Sequence, residues 1–234
     1  MHASGLVSRL LEEGRLAVKG RLPWSSNYTF LGEVSLDGAS SLVVYKPQRS
    51  ERPLWDFPRG LYKREVAAWV LSEVLGWGLV PPTVTRNGPL GRGSVQLFVD
   101  ADFSQHYFTL REDPRHQSTF ERLCVFDVLA NNADRKAGHC LLGRDGRIHA
   151  IDNGLTFHAQ QKLRTVIWDF GGEPIPPPLL EDVRDFLETA LPEALAEVLL
   201  PAERAALRDR ADLVLTEGHF PVDPSGQAYP WPLV

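Results

Sequence analysis

Apolar and polar positions alternate along the first part of the chain. The stretch "RLAVKGRLPWSSNYTFLGEVSLDGASSLVVYKP" keeps a period of two around an Asp37-Gly38 pair, which predicts strands joined by a tight hairpin turn. Ahead of it, "SGLVSRLLEEG" predicts a short helix stopped by Gly14. The period then changes. In "YKREVAAWVLSEVLG" the residues Val66, Trp69, Val70, Leu71, Val74 and Leu75 fall on helical spacing, ending at Gly76. "TVTRNGPLGRGSVQLFVD" returns to strands, with a turn expected at Asn87-Gly88. "TFERLCVFDVLAN" predicts an apolar helix, and "HCLL", "GRDGR", "IHAI" a short hairpin. From about Pro176 onward the pattern is helical, in "PPPLLEDVRDFLETAL", "PEALAEVLL" and "PAERAALRDRADLVLTEG". Long loops are expected in "PQRSERPLWDFPRG" and "DADFSQHYFTLREDPRH". The closing "AYPWPLV" reads as an apolar tail that docks on the body or meets a partner.

Strands dominate residues 1–100 and helices residues 101–234, which predicts one domain of α+β class with two lobes and a ligand cleft at their junction. Composition changes this picture little. The 234 residues are 43% hydrophobic and 24% charged, with a net charge of −5. No basic stripe appears, so nucleic acid is not an expected partner. Cys124 and Cys140 sit in apolar surroundings, which favours reduced core thiols over a disulfide. Two cysteines alone make no zinc site. No stretch approaches the roughly 18 apolar residues of a membrane span, and the N-terminus lacks a secretory apolar region. A cytoplasmic protein without integral membrane association is expected.

The chemistry concentrates in "NNADRKAGHCLLGRDGRIHAIDNG", residues 131–154. Within it Asp134 opens a polar loop and Asp152 closes a short apolar run 18 positions later, while His139 stands five positions after Asp134. Phosphoryl transfer from ATP needs a lysine on the phosphates and a group to hold that lysine. It also needs a metal-binding carboxylate and a carboxylate that orients the acceptor hydroxyl. Lys46 ends the strand "SLVVYK" and Glu65 lies early in the next helix. Lys46, Glu65, Asp134 and Asp152 thus follow the order of a protein kinase, with His139 in place of an asparagine and Asp-Asn-Gly in place of Asp-Phe-Gly. Taken singly, each has a plainer reading. Lys46 could be a solvated strand-end lysine, Glu65 a helix-start residue, and Asp134 or Asp152 a turn or cap. His139 could be a metal ligand or a structural polar group. Trp168 and Asp169 could line the acceptor side.

Four motifs together, "VVYKP", "GSVQLFVD", "NADR" and "IDNGLTF", resemble those of type II phosphatidylinositol 4-kinases. The wider group is the phosphatidylinositol 3-/4-kinase-like superfamily, which includes HipA-type toxin kinases. The chain also resembles bacterial, mainly actinobacterial, kinase-like proteins. The resemblance spans roughly Ser25 to Trp168. It implies a two-lobed protein-kinase-like fold and the cofactors ATP with Mg²⁺ or Mn²⁺. It makes Lys46 the ATP-phosphate lysine, Glu65 its partner, Asp134 the catalytic-loop aspartate with Arg135 beside it, and Asp152 a metal ligand. Ser25, Ser26 and Asn27 would lie near the phosphates, and Gln96, Leu97, Phe98 and Val99 would form the hinge strand that meets adenine. The lipid kinases carry asparagine as second metal ligand where this chain has His139. The polar Asn132 is a candidate substitute ligand. Their cysteine-rich insertion is replaced here by "RSERPLWDFPRG". The implied activity is transfer of the γ-phosphate to a hydroxyl on a protein Ser or Thr (including the protein itself), a polyol or an inositol lipid. The competing readings are a nucleotide-binding pseudokinase that regulates a partner protein, and adenylyl transfer.

Overall fold

In the computed structural model of the protein, residues 2–23 and 28–234 are described. Among these, helix α1 (His2–Glu13) leads into strands β1 (Arg15–Arg21), β2 (Phe30–Leu36) and β3 (Ala39–Pro47). Helix α2 (Leu61–Val74) follows, then β4 (Thr83–Gly88) and β5 (Gly91–Leu97). The five strands form one antiparallel sheet in the order β1-β2-β3-β5-β4. Asp37 and Gly38 turn β2 into β3 with φ of 50° and 81°, as a tight hairpin requires. The second hairpin turns later than the sequence suggests. Asn87 and Gly88 remain in the ladder, opposite Arg92 and Gly91. Pro89 and Leu90 make the turn instead. Proline supplies a fixed φ there, and Gly91 takes the left-handed conformation at φ 93°. Gly88 is needed for space: a Cβ on it would meet Tyr45 Cζ at 2.8 Å.

The second part contains α3 (Tyr107–Leu110), α4 (Gln117–Ala130), the hairpin β6 (Cys140–Leu142) and β7 (Ile148–Ala150), then α5 (Pro177–Glu188), α6 (Glu193–Val198) and α7 (Pro201–Glu217). This is a two-lobed α+β fold, as the periodicity predicts. Two separate cores support it. Leu10 and Leu11 of α1 pack with Leu16, Val34, Val43, Tyr45, Val84 and Val95 against one face of the sheet. Helix α2 sends Val66, Ala67, Ala68, Val70 and Leu71 into the larger core, with Phe120, Leu123 and Phe126 of α4 and residues of α5 to α7. A buried ion pair, Arg64–Glu203, also joins α2 to α7. Both cysteines are free and buried. The final segment docks on the body: the Ala137 N–H donates to the Leu233 carbonyl at 2.7 Å and Trp168 Nε1 to that of Ala228 at 3.2 Å. Trp231 in the same segment remains 86% exposed.

Candidate active site

Strand alternation places the first functional side chain. Val43 and Tyr45 of β3 point into the sheet core, so Val44 and Lys46 point the opposite way, into the cleft. Lys46 Nζ forms an ion pair with the buried Glu65 of α2 and reaches Asp152 Oδ1 at 2.8 Å. Asp152 follows β7 in a left-handed conformation, φ 57°, a strained state for a residue with a Cβ. The next residue holds it there. The Asn153 N–H donates to Glu65 Oε2 at 3.0 Å, and Asn153 Oδ1 accepts from Arg135 at 2.7 Å.

Arg135, grouped by the resemblance with the catalytic residues, lies behind the loop and faces away from the cleft. Its side chain is fully buried, with its guanidinium on Asp127 at 3.0–3.1 Å and on the Ile151 carbonyl at 2.9 Å. Such a charge-assisted, bidentate pair fixes geometry, so Arg135 is a positioning residue. Asn132 is likewise committed. It donates to Asp127 Oδ1 at 3.0 Å and accepts the Asp134 N–H at 2.9 Å, so it is buried beneath the loop and cannot serve as a cation ligand in the cleft. Asp127 therefore anchors the whole loop, and the apolar helix pattern alone does not single it out. Its signal in the sequence is a lone carboxylate inside "CVFDVLA". Trp168 and Asp169 do not reach the cleft: Asp169 binds Tyr107 Oη and Arg111, on another face.

Asp134 faces the cleft with Lys136 Nζ at 2.5 Å from its Oδ2. Lys136 was not singled out by the motif, though it lies two positions on. His139 places Nε2 at 3.6 Å from Asp152 Oδ2. Its Nδ1 accepts the Lys136 N–H at 3.3 Å, which leaves the proton of the neutral ring on Nε2, toward the carboxylate. While Nδ1 accepts this bond, Nε2 keeps its proton and has no lone pair for a cation; ligation through Nε2 requires the Lys136 N–H to turn away.

Electrostatics separate the groups. Lys46 draws Asp152 well below the usual carboxylate range. Burial works against the charge of Lys46, but Asp152 and Glu65 outweigh it and hold the ammonium above its ordinary value. Burial raises Glu65 and also Asp134. Burial pushes His139 down to about 4, so the ring is neutral near pH 7. The two carboxylates of the hairpin thus have opposite tendencies: Asp152 stays ionised, and Asp134 is the more basic.

The adenine-sized end of the cleft is apolar. Leu22, Val44, Leu141 and Ile151 line it with Gln96, Leu97, Phe98 and Val99. Leu97 and Phe98 N–H groups are anchored on the Pro82 and Leu42 carbonyls, at 2.8 and 3.0 Å. Among the described residues, the Phe98 carbonyl and Val99 N–H have no protein partner. They are the backbone groups available to a purine edge. The Gln96 amide donates to Thr83 Oγ1 at 2.8 Å and its backbone lies in the ladder between β3 and β4, so Gln96 shapes the cleft wall. Ser25, Ser26 and Asn27 lie outside the described residues. Among the described residues no cluster of three or more His, Cys, Asp and Glu could hold a metal by itself. Asp152 is the ligand this geometry offers, and His139 would join it only in the other tautomer. That fits a cation which takes its remaining ligands from phosphate and water, as Mg²⁺ does in phosphoryl-transfer sites.

The order of elements and the cleft between the lobes define a protein-kinase-like fold. No model of a known protein family matches the chain. It is 40% identical to Protein Rv2133c of Mycobacterium tuberculosis, with 99% of each chain covered, and belongs to the same family as that protein. Phosphatidylinositol 4-kinase gamma 4 of Oryza sativa subsp. japonica is 31% identical over 50% of this chain and 27% of its own length. Among solved structures, the Golgi casein kinase with Mn/ADP bound matches with a TM-score of 0.60 at 16% identity, covering 98% of this chain and 80% of its own. Hydra Fam20 with sugar matches at 0.58 and 14% identity, covering 90% and 86%. The Helicobacter pylori proinflammatory kinase CtkA matches at 0.53 and 13% identity, covering 89% and 97%. These three likenesses show the fold.

Proposed function

We propose that the protein is an ATP-dependent phosphotransferase of the phosphatidylinositol 3-/4-kinase-like group, a single kinase-like domain that moves the γ-phosphate to a hydroxyl. The observation that carries this reading is the convergence of Lys46, Glu65, Asp134 and Asp152 on one cleft, with Lys46 already seated between two carboxylates. Adenine would rest between Val44 and Ile151 against the Phe98–Val99 backbone. Lys46, held by Glu65, would bind the phosphates. Lys136 adds a second cation beside Asp134. A divalent cation bound by Asp152 and His139 would supply charge neutralisation at the transferring phosphate. Asp134, its basicity raised by burial, would orient the acceptor hydroxyl and take its proton as the O–P bond forms.

His139 favours one second reading, a pseudokinase that binds nucleotide to set lobe closure and regulate a partner. Incubation with γ-labelled and, separately, α-labelled ATP in Mg²⁺ or Mn²⁺ decides between them. Transfer of γ-label to a hydroxyl supports the kinase, and transfer of α-label would reveal adenylyl transfer instead. No label from either, together with a thermal shift in ATP, would establish the binding module.

A further inference from the structure

Beside the cleft lies a second cavity of about 450 Å³, walled by the segment from Gln48 to Arg59, the start of α2 and the β4–β5 turn. Arg49, Arg52, Arg59 and Arg92 all line it, in a chain whose net charge is −5. The side chains of Arg49, Arg59 and Arg92 make no hydrogen bond or ion pair among the described residues. The one carboxylate in the wall is already used. Glu51 accepts the Gly60 and Tyr62 N–H groups, each at 2.9 Å, and so caps the N-terminus of α2. The cavity wall therefore carries four arginines and one carboxylate, Glu51, an excess of positive charge. The four side chains are exposed, so their field reaches solvent and favours an incoming anion.

We propose that this cavity binds the phosphate monoester of a phosphorylated polyol, and that this compound is the acceptor of the cleft. The inference rests on the phosphotransferase reading and names its substrate class. Several exposed arginines bordering one volume suit a group that concentrates charge and acceptor oxygens, and a phosphate monoester carries about −1.5 to −2 near pH 7. The volume matches a small ligand, and Pro53 and Pro58 stiffen its wall. Glu51, Arg52, Leu54 and Leu61 border both this cavity and the part of the cleft that holds Asp134 and Asp152. A polyol anchored here by its phosphate thus extends a free hydroxyl toward Asp134. In the transfer, the bond from that hydroxyl oxygen to the γ-phosphorus forms and the bond from the γ-phosphorus to the bridging oxygen breaks. The proton passes to Asp134, and ADP leaves.

The test titrates the whole chain, saturated with a non-hydrolysable ATP analogue and Mn²⁺, with myo-inositol 1-phosphate, glycerol 3-phosphate and their unphosphorylated parents. Vesicles of phosphatidylcholine with and without phosphatidylinositol 4-phosphate separate a lipid headgroup from a free phosphate. At least one phosphorylated form should bind ten-fold or more tightly than its parent. The double variant Arg49→Glu/Arg92→Glu should lose that preference while keeping its affinity for the ATP analogue. Equal binding of phosphorylated and parent compounds, or an unchanged preference in the variant, overturns the proposal. So does an oligo-glutamate peptide that binds more tightly with the same arginine dependence, because the site is then one for acidic peptides. Arginine-dependent binding without γ-label transfer removes the acceptor role together with the kinase reading. Transfer from ATP that ignores the arginine substitutions removes this site alone.

Discussion

Lys46 holds one oxygen of the Asp152 carboxylate and His139 faces the other: Nζ lies 2.8 Å from Oδ1, and Nε2, at 3.6 Å from Oδ2, stands beyond hydrogen-bond reach. The aspartate is thereby aimed before any ligand arrives, and the imidazole is the part of this arrangement that departs from the kinase pattern. As a nitrogen ligand, His139 should favour Mn²⁺ over Mg²⁺. His139→Asn should move the ratio of initial rates back toward Mg²⁺. Identical ratios in the two proteins would take the histidine out of the metal site.

The same ring sets a pH dependence. With an ordinary pKa near 6.5, His139 would be lost as a ligand between about pH 6 and 7. Burial moves that loss down to about pH 4. The folded protein keeps the ring neutral in the interval where the unfolded chain protonates it, so stability falls as pH drops from about 6.5 to about 4. The loss should approach about 3 kcal/mol. Urea unfolding of the metal-free protein at several pH values measures it, and His139→Asn should flatten the curve.

Lys46→Met should lower transfer by about 10²- to 10³-fold, the scale for removing one donor to a developing charge. The fold should survive, because Glu65, already raised by burial, can take up a proton once its cation is gone. A group with a raised folded pKa stabilises below its unfolded value and loses that contribution as pH rises. The variant should therefore be more stable at pH 5 than at pH 8 relative to wild type, as thermal scans at the two values would record.

Asp134→Asn should reduce transfer by about 10²- to 10⁴-fold while leaving the affinity for an ATP analogue unchanged. The carboxylate lies on the acceptor side and binds Lys136. Weaker binding of the analogue would place Asp134 among the nucleotide contacts.

Arg64 should matter to stability alone. It bonds Glu203 and the Thr156 carbonyl at 2.8 Å, all within the interior. Arg64→Met leaves a buried carboxylate unpaired, at a cost of about 3–5 kcal/mol. Arg64→Met/Glu203→Met should recover much of it. Denaturant midpoints for the single and double variants test the pair.

Periodicity carries the fold best where one face is buried, as in the alternating β2 and β3, while α2 and β5 read as apolar runs because they are buried nearly all round. The β4–β5 turn escapes it, since Asn-Gly is a strong turn signal that Pro89 and Gly91 override. Lys46, Glu65, Asp134 and Asp152 are readable because their order along the chain is itself the pattern. Asp127, Asn132, Asn153 and the inward course of Arg135 are not. Their bonds form between segments that meet only after folding, and a buried arginine looks like an exposed one until its carboxylate is located. The arginine cavity is hidden for the same reason: Arg92 joins Arg49 and Arg59 only through the β4–β5 turn.

Helix α2 belongs mechanically to the lower lobe, since its apolar face is part of the larger core and Arg64 moors it to α7. Swinging it outward would open voids at Val66, Val70 and Leu71, and emptying one large apolar site costs about 2–5 kcal/mol. The sheet, by contrast, carries its own core on α1. Lys46 is therefore a clasp between two separately built bodies, and Glu65 is the fixed half of it. Tilting the sheet away shifts β4 and β5 on α2 and parts the Lys46–Glu65 contact, whereas moving the helix tears it from the larger core. Nucleotide entry and any control of it should show as rotation of the sheet, with the glutamate standing still.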